Sequence, residues 1–235
     1  MLFIYFLLFI TIIISGSSMF AVKKVNAGFL KLLLSFSGAY LFGLTVTHLI
    51  PEVYNSGNAS IGIYIFAGFF IQIVLEFFSE GIEHGHIHIH KHQNAAFPYG
   101  IMAGLCLHSF LEGMPLVQRF SEESVQNSLL FGIILHHIPV AIALMTMFLQ
   151  SGLSKSSAFL YLILFALMAP LGALTGNLLN DTSLHDLFFD KVMAVVIGIF
   201  LHISTTILFE SYEEHRFNYL KLIIILCGGG LAILI

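Results

Sequence analysis

His108 and Glu112 stand four residues apart in the apolar run GLCLHSFLEGMPL, residues 104–116, so on a helix an imidazole and a carboxylate share one face. Both are ligands for a borderline divalent cation, and a charged group at mid-bilayer costs roughly 2.5 kcal/mol or more on insertion scales, so each needs a partner or a function. A second apolar run, ILHHIPVAIAL, carries His136 and His137 ahead of Pro139. Zinc takes imidazole nitrogen and carboxylate oxygen at about 2.0 to 2.2 Å and favours four ligands. His108, Glu112 and His136 supply three, with water or a further group completing the set. An incomplete, exchangeable shell fits a protein that must release the cation it binds. Pro115 and Pro139 each remove an amide donor and displace the carbonyl four residues earlier, Leu135 in the second case, so a kinked or locally opened helix is expected beside the ligands.

Other polar residues within apolar runs are auxiliary candidates. His48 and Glu52 form another i, i+4 pair, Glu210 closes the seventh run, and His202 lies deeper in it. Glu52 and Glu210 read as entrance and exit carboxylates, His202 as a group lining the path, and Ser109 and His137 as neighbours of the main ligands. His137 is turned about 100° around the helix from His136, which points it away from a cation held there. Glu76 and Glu80 are adequately explained as a solvated helix end. His84, His86, His88, His90 and His92 alternate through a polar loop and can gather a cation without a fixed geometry.

The elements that position these groups follow from composition. In 235 residues, 58% are hydrophobic and 9% charged, with a mean hydropathy of +0.95, far too apolar for one water-soluble core. The chain reads as an all-α membrane protein. Apolar stretches of bilayer length fall at 2–21, 30–54, 60–80, 97–118, 124–150, 155–179, 188–210 and 217–235, which makes residues 1–235 a single eight-helix domain with the His-rich loop at about 80–94. No basic patch exists, so nucleic acid is excluded as a partner. Cys106 and Cys227 both fall within spans and read as inert thiols. The first run lacks a positive leading segment, and Lys23 and Lys24 follow it, which argues for a span over a cleaved leader.

Orientation follows from the basic residues. With both termini outside, Lys23, Lys24, Lys31, Lys91, Lys155, Arg216 and Lys221 face the cytoplasm and only Arg119 and Lys191 face out. The His-rich loop is then cytoplasmic, in a plasma or bacterial inner membrane. Span 2 ends FGLTVTHLIPE and span 7 ends FLHISTTILFE, an echo between antiparallel helices of the kind an inverted repeat of helices 1–3 and 6–8 produces.

Together these segments resemble the ZIP (Zrt-, Irt-like) family of divalent-metal transporters. HSFLEG resembles the family's fourth-helix signature, HHIPVA more loosely its fifth-helix motif, and THLIPE, the His-rich loop and GIFLHISTTILFE the corresponding segments elsewhere. The resemblance implies a 3+2+3 helix arrangement, a metal site between helices 4 and 5, and uptake towards the cytoplasm by alternating access. It departs where many members complete a binuclear centre: this chain has Ser109, His137 and Val140 there, and Thr205 and Thr206 in span 7. One core cation is therefore expected. Zn²⁺ is the first choice as substrate, although Fe²⁺, Mn²⁺, Co²⁺ and Cd²⁺ accept the same ligands. The expected partners are the cation and the lipid bilayer, with a homodimer left open. The rival reading is an intramembrane metal-dependent hydrolase using a zinc-bound water, against which stands the absence of HExxH.

Overall fold

A computed structural model describes residues 1–22, 25–55, 57, 59–84, 99–117, 120–180, 185–210 and 219–234, with the side chains at 180, 185–188 and 210 outside that description. Among the described residues all regular structure is helical. In hydrocarbon no water satisfies backbone amides and carbonyls, so an apolar run must close its hydrogen bonds within itself. The helices are α1 (Leu2–Ser17), α2 (Ala27–Tyr54), α3 (Ile61–Ser79), α4 (Tyr99–Gly113), α5 (Glu123–Gln150), α6 (Lys155–Asn180), α7 (His185–Glu210) and α8 (Tyr219–Ile233). Seven of these runs are long and apolar enough to cross a bilayer. The last is shorter than its expected span: its 15 residues rise about 22 Å against a hydrocarbon core of roughly 30 Å.

Local sequence explains the irregularities. Asn26 begins α2, its side-chain oxygen accepting from the amides of Gly28 and Phe29 at 2.9 and 3.2 Å. Pro51 has no amide hydrogen for the carbonyl of Thr47, and the helix approaches it through a π-helical turn at Thr45–Leu49. Gly113 and Pro115 end α4 in a 3₁₀ turn, Met114–Val117. Pro139 does not open its helix as expected: α5 runs unbroken through it, held by neighbours on several sides.

Helix pairing determines which groups meet. The principal partners are α3 with α7, α2 with α8, α4 with α6, and α1 with both α5 and α6, while α2 also crosses α5 and α7. Without a hydrophobic drive between helices in lipid, close approach relies on small residues. A Cβ added at Gly68 of α3 would stand 2.0 Å from the carbonyl oxygen of Val195, and one at Gly198 of α7 would stand 2.0 Å from that of Ile65. The α4–α6 pair is just as close, with Gly113 against Ala169 O and Gly172 against Phe110 O. The outward faces are the reverse of a soluble surface: Phe3, Phe66 and Phe77 are 70%, 65% and 80% exposed, a surface suited to lipid.

One turn matters for the site. Glu80 caps α3 in the left-handed region (φ 53°), and Gly81 follows at φ 71°. This reverses the chain into the bundle, so the short 3₁₀ turn Ile82–His84 is buried.

Candidate metal centre

The i, i+4 spacing on α4 sets His108 and Glu112 side by side, with Nε2 of the imidazole 3.2 Å from Oε1 of the carboxylate. The adjoining α5 brings His136 and His137 to the same place. His108, Glu112 and His136 each offer a ligand atom, and these atoms lie within 4.8 Å of one another with all three side chains fully buried. The rings of His108 and His136 meet edge to face at 6.0 Å. His137 does not point away as its position on the helix predicted: its Nε2 is 3.1 Å from Oε2, the second oxygen of Glu112. One carboxylate thus faces imidazoles from two helices.

What these groups lack is as telling. Both oxygens of Glu112, Nε2 of His108 and all ring nitrogens of His136 and His137 are buried with no hydrogen-bond partner of good geometry among the described residues. A buried polar atom left unpaired costs about 1–3 kcal/mol, and more if charged. A dication coordinated by these atoms removes that cost at several of them together. Ser109 is also buried with a free hydroxyl among the described residues, beside this set.

A second layer supports His108. Gln72 of α3, fully buried, places Oε1 3.1 Å from His108 Nδ1, and its Nε2 donates to Glu83 Oε2 over 3.0 Å. Glu83 reaches this place because the left-handed turn after α3 carries it inward. Burial raises its carboxyl above the ordinary carboxylate range, against the opposing influence of His108 and His84.

A second group of three lies near the end of α3. Glu76, His84 and His202 offer ligand atoms within 4.8 Å of one another. Glu76 Oε2 is 3.4 Å from His84 Nε2 and makes a short contact with His202 Nε2, whose ring also packs edge to face on Phe69. This corrects two expectations. His84 is no loop residue but sits buried in the turn, and Glu76 is no solvated end but half-buried between histidines. Both follow from the chain reversal at Glu80. His86, His88, His90 and His92 lie outside the described residues.

Among the described side chains, His48 and Glu52 are not drawn into either group. His48 Nδ1 pairs with Thr47 Oγ1 at 2.7 Å, and Glu52 accepts from the amide of Ser121 at 2.7 Å. The π-helical turn between them disturbs the common face that a regular helix would give. Glu210 ends α7 with its side chain outside the described set. Thr205 and Thr206 spend their hydroxyls on α7 carbonyls one turn back. Sequence reading missed Gln72 and Glu83; the signal available was a glutamine one turn before Glu76 within the largely apolar third span.

The family model for the ZIP Zinc transporter matches residues 83–235, well over half of the chain and all of α4–α8. Protein zntD of Dictyostelium discoideum is 25% identical over 169 residues, covering 66% of this chain and 25% of its own length. Zinc transporter ZIP1 of Danio rerio is 26% identical over 157 residues, covering 63% and 50%. The chain therefore spans between a quarter and half the length of these curated relatives.

Proposed function

The chain belongs to the ZIP zinc transporter family, and on that footing we propose that it carries a divalent cation, zinc first, across the bilayer through His108, Glu112 and His136. The observation that carries this reading is the convergence of Glu112 with imidazoles from α4 and α5, all buried and otherwise unsatisfied. The name of the Danio rerio relative and that of the family model support zinc as the cargo. Fe²⁺, Mn²⁺, Co²⁺ and Cd²⁺ suit the same donors.

Glu76, His84 and His202 form a second station on the cation's way. They are linked to the first by the string His108–Gln72–Glu83, whose last member adjoins His84. The excess of Lys and Arg on one side supports an orientation with both termini outside, and uptake towards the cytoplasm is the direction that the resemblance to the family implies. From the second station the cation would pass to the histidines at 86–92.

The eight helices act as one transporter domain of 3+2+3 design, in which α1–α3 and α6–α8 are inverted repeats. Helix pairing supports this: exchanging α1 with α6, α2 with α7, α3 with α8 and α4 with α5 turns the α3·α7 pair into α8·α2 and the α4·α6 pair into α5·α1, and all of these pairs are packed. Alternating access is the mode of transport that such a design serves. A homodimer is compatible with the apolar outer faces. Membership in a transporter family disfavours the intramembrane hydrolase.

The test is uptake of radiolabelled zinc by proteoliposomes containing the purified chain. His108→Ala, Glu112→Gln and His136→Ala should each abolish or severely reduce it in folded, inserted protein. Uptake at the parent rate in all three would overturn the proposed site, and zinc-dependent cleavage of peptide or lipid without uptake would favour the hydrolase.

A further inference from the structure

Gln72 reaches the site from α3, a helix that contributes no ligand to the His108, Glu112 and His136 set. Its two ends are chemically distinct, and with the amide nitrogen towards Glu83 and the carbonyl towards His108 each bond around it has one direction. Nε2 is spent on Glu83 Oε2, an oxygen that can accept whether Glu83 is ionised or carries its proton on Oε1. The end that faces His108 is therefore the carbonyl, and Nδ1 must carry a hydrogen to meet it. A neutral His108 then has its lone pair on Nε2, the nitrogen next to Glu112.

Building on the transport reading above, we propose that Gln72 is a positioning residue for the cation: anchored by Glu83, it fixes His108 as the Nδ1–H tautomer and aims Nε2 at the ion. His136 has no such support among the described residues, since both its ring nitrogens lack a partner. The site thus combines one imidazole locked in orientation with one that adapts. The burial of Gln72 and Glu83 makes the lock strong, because water is not at hand to substitute for either hydrogen bond.

The test uses the full chain with His86, His88, His90 and His92 replaced by Ser, so that zinc bound in the loop does not mask the core. Gln72→Leu should raise the zinc Kd and the transport KM about 10- to 100-fold, the range seen when a metal-bound histidine loses its outer partner. The double variant Gln72→Glu with Glu83→Gln exchanges the two ends of the bridge. The carboxylate introduced at position 72 accepts from His108 Nδ1–H, and the amide introduced at position 83 donates to it. Zinc affinity should return towards the parent value. Nitrogen-15 NMR of histidine in zinc-loaded parent protein should show Nδ1 protonated and Nε2 metal-bound at His108. Parent-like affinity in Gln72→Leu, failure of the folded double variant to recover, or metal on Nδ1 would each overturn the proposal. Should Gln72→Leu not fold, the double variant and the NMR measurement still decide it. His108→Ala, run alongside, separates the two levels: if it too binds zinc like the parent, the core site itself is wrong.

Discussion

His137 Nε2 lies 3.1 Å from Glu112 Oε2, while His108 Nε2 lies 3.2 Å from the other oxygen of the same carboxylate. Glu112 is thus the hub between two helices. An anion buried without compensation costs several kcal/mol, and here the only neighbours able to offset it at hydrogen-bonding range among the described side chains are imidazoles and an arriving cation.

Glu112→Gln keeps the volume and removes the charge, so zinc uptake should fall by more than about 10-fold, the smallest loss expected when even an outer partner of a metal ligand is removed. His137→Ala should cost less than His136→Ala, because His137 lies outside the group of three that converges within 4.8 Å. Initial uptake rates over a range of zinc concentrations decide both points; equal losses at 136 and 137 would make His137 a direct ligand.

His136→Leu should move stability and function in opposite directions. The wild-type ring buries two nitrogens without partners, and their removal should relieve about 1–3 kcal/mol in metal-free protein. Thermal unfolding in detergent with chelator should therefore show a raised Tm, while the added stability that zinc confers on the parent disappears. A lowered Tm in chelator would mean that His136 has a structural partner.

Gly198→Ala should destabilise the bundle severely, since its Cβ would stand 2.0 Å from the carbonyl oxygen of Ile65 and backbone cannot swing aside as a side chain can. Gly230→Ala, with nothing within 4 Å of the added carbon, is the control and should fold like the parent. The yield of monodisperse protein and its Tm measure the difference.

Acid should weaken zinc uptake. Coordination uses lone pairs on His108 and His136, protons compete for the same atoms, and binding therefore releases protons. The KM for zinc should rise as external pH is lowered. A KM that stays flat down to about pH 5, well below the ordinary histidine range, would argue against imidazole ligands.

The parts of the molecule governed by local sequence were legible in it. Apolar length located the eight helices to within a few residues, and the i, i+4 spacing of His108 and Glu112 placed both on one face. What escaped depends on pairing across the chain. Glu76 meets His202 across 126 positions, a relation that neither residue's neighbours announce. His84 reads as the first of an alternating histidine run, and it is the pair of left-handed residues Glu80 and Gly81, the first of them not a glycine, that carries it inside. For His137, helix geometry alone turned the ring away from His136. A buried carboxylate with two oxygens can nevertheless be approached by His108 on one and His137 on the other, and only the meeting of side chains from α4 and α5 makes that evident.

The glycine seams described above have a mechanical meaning. Between α3 and α7, and between α4 and α6, backbone rests on backbone, so neither pair can slide without climbing over a carbonyl. Backbone also meets backbone between α2 and α8, where a Cβ at Gly228 would stand 2.5 Å from the carbonyl oxygen of Phe36, and between α3 and α4, where one at Gly104 would stand 2.9 Å from that of Leu75. Three other seams set glycine against side chains: Leu162 beside Gly16 between α1 and α6, Ile207 beside Gly38 between α2 and α7, and Leu41 and Tyr40 beside Gly132 between α2 and α5. Those seams can yield by changes of rotamer. The bundle is accordingly a set of stiff panels joined by greased joints, and α2, locked to α8 by backbone but meeting α5 and α7 through soft seams, is free to slip only together with α8 as one panel.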